Sequence, residues 1–175
     1  MNKPSIIALL GVLSLVSARN GRAEVNVKFI EPENYTDLSL SGSSTDRIQR
    51  HILDELSKFL VDLGARTLPA GQKLEVEVYD IDMAGNYEPW RAPFLTNTRI
   101  VRDVYRQRMD IHYILRNAQG SVVKERWENF SDLNYLITAN PYAYLYNDPL
   151  RYEKALLRKW FNANFEGRDA SEHTH

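Results

Sequence analysis

Residues 73–82 read KLEVEVYDID. Leu74, Val76 and Val78 alternate with Glu75, Glu77 and Tyr79, the period of a half-buried strand. Asp80 and Asp82 then arrive in phase with the apolar set. Continued undisturbed, the strand would bury two carboxylates at a cost of roughly several kcal/mol each. It is therefore expected to end, bulge or reach the rim of its sheet near Tyr79. The two aspartates read first as caps of the MAGN turn that follows, or as partners of arginines. The rival reading is a carboxylate cluster at the rim, joined by Asp132 from the end of a later strand. Three such groups could hold a hard cation or divide acid and base work between them. The spacing lacks the glycine and the remaining ligands of a calcium loop, so no metal and no cofactor is assigned.

Upstream, Val25, Val27 and Phe29 alternate in a short first strand closed by Glu31-Pro32, where proline cannot donate a ladder hydrogen bond. SGSST (41–45) marks the entry to a helix. Ile48, Ile52, Leu56, Phe59, Leu60 and Leu63 fall at three- and four-residue spacings and form its apolar stripe, with Gly64 placed to cap its end. Downstream, Met109, Ile111, Tyr113 and Leu115 alternate with polar residues in a third strand. RNAQGS supplies a hairpin turn with Gly120 free to take positive φ. The fourth strand runs from Val122 to about Asn129 and carries Val123 and Trp127. Asp148 and Pro149 then open a second helix with Leu150, Leu157, Trp160, Phe161 and Phe165 on its apolar side. The order β-α-β-β-β-α describes an α+β domain: a small, mostly antiparallel sheet of about four strands with two main helices on one face. The first two strands are expected to be parallel neighbours or separated by one strand.

The amino terminus reads as a secretory signal. Lys3 precedes an apolar run, Ile6 to Ala18, too short to cross a bilayer of roughly 30 Å as a helix. Cleavage is expected after Ala23, with the site after Ala18 as the alternative. Residues 1–23 are then a removed signal, 24–165 a single domain and 166–175 a disordered tail. Removal takes away Lys3, Arg19 and Arg22, so the mature chain has 22 − 3 = 19 basic against 23 acidic residues, a net charge of −4. Nucleic acid is not an expected partner at that balance, and after signal removal no integral membrane span is expected. The chain has no cysteine, which excludes disulfides, thiol catalysis and thiolate metal sites.

Between the second and third strands lies an irregular stretch with Trp90, Arg91, Arg99 and Arg102. Arginine forks and an indole could line a pocket for an anionic or sugar-like ligand; the plainer reading is ion pairs to the aspartates. Tyr142, Tyr144 and Tyr146, at period two, could stack a ligand or dock a partner, or lie across the core. The histidines fall in no catalytic setting, and no nucleophile elbow or phosphate loop is present in the sequence.

VNVKFIEPENYTDL, LPAGQKLEVEVYDIDMAG, the run from RIVRDVY to MDIHYILRNAQG, and NDPLRYEKALLRKWF are together similar to a family of exported proteobacterial proteins, the domain of unknown function 3016. D-I-D-x-A-G and D-P-L-R-Y-E-K are the most specific segments. The resemblance implies export to a Gram-negative periplasm or beyond and a single domain, and it implies no activity. The sequence thus reads as an exported, soluble, non-enzymatic binding or accessory domain of the cell envelope, its partner an unidentified envelope protein or small ligand. Its candidate surface comprises Asp80, Asp82, Trp90, Arg99, Asp132, Tyr142 and Tyr144. The alternative is a metal-dependent or carboxylate-pair hydrolase at the Asp80/Asp82/Asp132 rim.

Overall fold

A computed structural model describes residues 22–38, 43–87, 99–138 and 147–166. Trp90, Arg91, Tyr142, Tyr144, Tyr146, residues 1–21 and residues 167–175 lie outside the described residues. The elements, in chain order, are β1 (Glu24–Phe29), a 3₁₀ turn (Pro32–Asn34), α1 (Ser43–Thr67), β2 (Lys73–Asp82), β3 (Asn86–Tyr87), β4 (Arg99–Ile100), β5 (Gln107–Arg116), β6 (Val122–Asp132), a short α2 (Tyr135–Thr138) and α3 (Arg151–Phe165). β1, β2, β5 and β6 form one sheet in the order β1-β2-β5-β6, while β3 and β4 pair separately. β1 lies parallel to β2, its neighbour; the other pairings are antiparallel. The α+β class and the strand order along the chain are as expected, with the two-residue β3–β4 ladder and α2 added.

One face of the sheet is packed. Leu74, Val76 and Val78 from β2, and Met109, Ile111 and Tyr113 from β5, meet Leu56 and Leu60 of α1 and Leu157, Trp160 and Phe161 of α3 in a single cluster. Tyr113 closes its far side, donating from Oη to Asn164 Oδ1 at 3.0 Å and contacting Trp160 edge-on at 5.5 Å. The stripe expected for α1 holds from Ile52 onward, but Ile48 is 59% exposed. At the other end of α1, Gly64 does not cap: the helix runs on to Thr67, and Leu68 N–H donates to Gly64 O at 2.9 Å. A Cβ at Gly64 would stand 2.2 Å from Val25 Cγ2. Glycine is there because α1 crosses β1 closely, not because the backbone turns left-handed. Gly120 does take φ 84° in the β5–β6 turn, as the RNAQGS stretch predicts.

Candidate functional site

The conflict in KLEVEVYDID is resolved by a β-bulge. Val78 pairs with Ile111 and Asp80 with Asp110, so Tyr79 is an extra residue and the alternation changes phase behind it. Ile81 drops into the core at 1% exposure, and Asp80 and Asp82 are turned to the other side. The strand then continues to Asp82 instead of stopping. A bulge near Tyr79 is one of the outcomes the sequence demands, because the core side cannot take both carboxylates.

Asp80 is fully engaged. Its Oδ1 accepts Thr36 N–H at 2.8 Å, and its Oδ2 accepts Thr36 Oγ1–H at 2.8 Å and Arg108 Nη2 at 2.7 Å. It thus caps the loop after β1 rather than the MAGN turn. Asp82 faces Asp37 from that same loop. Burial first, then the Asp37 charge, pushes the Asp82 carboxyl up to about 6. Asp37 is raised as well, chiefly by burial, and is held back by Arg99 and by the hydrogen bonds it receives. The pair therefore favours one shared proton, residing on Asp82. Asp37 Oδ2 accepts Met83 N–H at 2.9 Å and Arg99 Nη1 at 2.8 Å.

These contacts converge on the turn Met83–Gly85. Arg99 Nη1 also donates to Gly85 O at 2.8 Å, and Ala84 N–H donates to Glu153 Oε1 at 2.9 Å. Gly85 has φ 85°, and a Cβ there would stand 2.6 Å from Ile100 O, so the position excludes a side chain twice over. Glu153 is 2% exposed, and burial raises its carboxyl above the usual range. Its Oε2 is buried without a partner among the described residues. Just before α3, Asp148 Oδ1 accepts Leu150 N–H at 2.8 Å while its Oδ2 meets Lys154 Nζ at 3.1 Å. The helix itself starts at Arg151, two residues after the expected Pro149. D-I-D-x-A-G and D-P-L-R-Y-E-K are thus in direct contact, through Ala84 and Glu153.

The structure places Asp80, Asp82 and Arg99 at this one rim, Arg99 acting through Asp37. Arg108, not Arg99, is the arginine partner of Asp80. Asp132 lies on the helix side of the sheet, paired with Gln107, where it accepts Asn134 N–H at 2.8 Å and Lys159 Nζ at 3.3 Å. The sheet separates it from Asp80 and Asp82. Among the described residues no group of three His, Cys, Asp or Glu side chains is arranged to hold a metal ion. A cavity of about 240 Å³ lined by Phe130, Leu156, Lys159 and Trp160 opens between β6 and α3, away from the Asp37–Asp82 pair.

The second feature is the face of the sheet opposite the helices. The registers Lys28↔Glu77, Glu77↔His112 and His112↔Trp127 place one row of side chains across all four strands. His112 sits between two carboxylates, with Nδ1 3.4 Å from Glu77 Oε2 and Nε2 3.1 Å from Glu125 Oε1. The Trp127 ring stacks on the imidazole at 4.7 Å between centroids, and Tyr79 leans on Trp127 at the same distance. Trp127 is nevertheless 66% exposed and Tyr79 37%. The bulge that saves the core from Asp80 also keeps Tyr79 on this face. Val123 and Trp127, the apolar residues singled out on β6, are both exposed.

A family model described as "Protein of unknown function (DUF3016)" matches residues 23–163. The chain belongs to that family. No curated protein matches the chain. The match assigns no chemistry to the residues it covers. Within D-I-D-x-A-G, Asp80, Met83, Ala84 and Gly85 are each tied to another element, and Glu153 of D-P-L-R-Y-E-K holds Ala84. Asp37, Arg108 and Glu153, none singled out in the sequence, complete the network.

Proposed function

We propose that this DUF3016 protein is an exported, non-enzymatic binding or accessory domain of the bacterial cell envelope, working through the uncovered face of its sheet around Trp127. The observation that carries the reading is the exposure of an indole that is at the same time held rigidly, stacked on His112, which is itself fixed by Glu77 and Glu125. A large aromatic kept in place yet two-thirds open to solvent is the usual anchor of an interface. The signal-like amino terminus supports export. The engagement of Asp80, Asp37 and Glu153 with backbone amides and arginines supports a structural role for the rim.

The Asp37–Asp82 pair favours a second reading. One carboxyl holding a proton to about pH 6 beside a second whose charged form Arg99 favours resembles the division of labour a general acid and base require. In that reading the rim is a hydrolase site with Asp37 in the place expected for Asp132.

Expression of the full chain followed by cell fractionation and amino-terminal sequencing tests export; recovery from the periplasm or medium with Glu24 as first residue is expected, and retention in the cytoplasm overturns it. In envelope extracts, wild-type protein is expected to sediment with a larger component and Trp127→Ala to stay free. Equal sedimentation of the two removes the open face from the reading.

A further inference from the structure

The open face has a charge pattern that says what it receives. Around Trp127 four carboxylates stand on the exposed side of the strands: Glu77, Asp80, Asp110 and Glu125. Arg108 serves two of them, with Nη2 2.7 Å from Asp80 and Nη1 3.0 Å from Asp110. His112 serves the other two. Lys28 adds one contact to Glu77, at 3.9 Å and from an exposed side chain. Glu75 and Arg116, 3.7 Å apart, add one acid and one cation to the same face, so the carboxylates still outnumber the lysine and arginine side chains that hold them, and the aromatic centre adds two electron-rich rings. His112 stacks on Trp127 with its ring 28° from parallel. The imidazole, bridging two carboxylates, and the Tyr79 ring both lie against the indole, and Trp127 is still 66% exposed.

We infer that this face binds a basic polypeptide segment, an arginine or lysine side chain lying over the free side of Trp127 with its head group between Glu125 and Glu77. The inference rests on the reading that the open face is the working surface, and adds the chemistry of the partner. A cation over an indole gains from the ring quadrupole, and indole is the best of the aromatic acceptors. Fixed carboxylates beside it supply the charge-assisted hydrogen bonds that a guanidinium fork matches. Anionic partners meet like charge here, and such juxtaposition is strongly unfavourable. The internal bonds of Glu77 and Glu125 to His112 hold the two carboxylates in place before the partner arrives, which lowers the ordering cost of binding.

The probe is a short repeat peptide of arginine and serine, with the same peptide carrying glutamine for arginine as control and chitotetraose as a neutral sugar. Protein from cells expressing the full chain is labelled with ¹⁵N and titrated by NMR. The arginine peptide is expected to shift the Trp127 indole N–H and the amides of Tyr79, His112 and Glu125. Affinity is expected to fall roughly tenfold between low and high salt, since exposed charges are screened within about a Debye length. Trp127→Ala is expected to weaken binding at least about fivefold, and Glu125→Gln to weaken it while leaving the spectrum of the free protein unchanged elsewhere. Equal shifts from the glutamine peptide, or an unchanged affinity in Trp127→Ala, overturn the inference. Shifts at Trp127 from chitotetraose but not from the arginine peptide overturn it while leaving the open face as the working surface. Shifts from the arginine peptide centred on Asp37 and Asp82 overturn both.

Discussion

Replacing Asp82 with asparagine tests whether the rim stores a proton. In the folded chain the Asp82 carboxyl is held up to about 6, against 3.8 for an unperturbed aspartate. Between those two values the folded state binds more protons than the unfolded state, so stability falls as pH rises through the interval and is lowest, for this group, above it. The full difference corresponds to roughly 3 kcal/mol, which solvent screening of a half-buried side chain reduces to about 1–2 kcal/mol. Asparagine cannot ionise, and its amide can donate to Asp37 as the carboxylic acid does. Arg108 keeps Asp80 and Asp110 as partners in the variant. The expected outcome is that Asp82→Asn equals wild type near pH 4 and exceeds its stability by about 1–2 kcal/mol above pH 7. Urea unfolding across that pH range, with m-values compared at each point, measures this directly. A variant less stable than wild type above pH 7, or a difference that does not change with pH, refutes the shared proton.

Glu153→Ala should destabilise by about 1–3 kcal/mol by leaving Ala84 N–H buried without an acceptor, whereas Glu153→Gln, which keeps an acceptor of the same shape, should cost much less; thermal and urea unfolding separate the two. Gly64→Ala improves helix propensity by roughly 1 kcal/mol, yet should be net destabilising by about 1–3 kcal/mol, because its Cβ meets Val25 and pushes α1 off β1. Trp127→Ala should change stability by no more than about 1 kcal/mol, since most of the ring is in solvent, so that any loss of binding it causes is not a loss of fold.

Local rules carried the sheet and its crossover helix into view. The alternation of β2 and β5 and the stripe of α1 each agree with one period, and the two aspartates in phase with Leu74, Val76 and Val78 force an irregularity near Tyr79 on energetic grounds alone. The misses have distinct causes. Gly64 fits two roles, cap and close approach, and only the position of Val25, far away in sequence, decides between them. Glu153 falls four residues before Leu157 and seven before Trp160, on the apolar stripe of α3; that spacing is a signal for burial that its charge disguises. Asp37 lies in a polar loop, and its contacts, Met83 and Arg99, are 46 and 62 residues away. On β6, charged residues occupy both sides because an edge strand lets long stems escape: Lys124 reaches Asn164 at 2.6 Å and Glu128 accepts Trp160 Nε1 at 2.7 Å. With no apolar period there, the sequence does not reveal that Trp127 faces solvent. Of the candidate site residues, Asp80, Asp82, Arg99 and Asp132 are described, while Trp90, Tyr142 and Tyr144 fall outside the described residues.

On the proposed reading, the uncovered sheet face, not the carboxylate rim, meets the partner in the cell. Photocrosslinking tests it most directly, with a photoreactive phenylalanine placed in turn at Tyr79 on the open face and at the exposed Asp54 on α1. Each protein is expressed from its full chain and irradiated in living cells. Adducts that form from position 79, disappear when Trp127→Ala is added, and are absent from position 54 are the predicted result. Adducts from position 54 alone, or adducts from position 79 that persist without the indole, would contradict it.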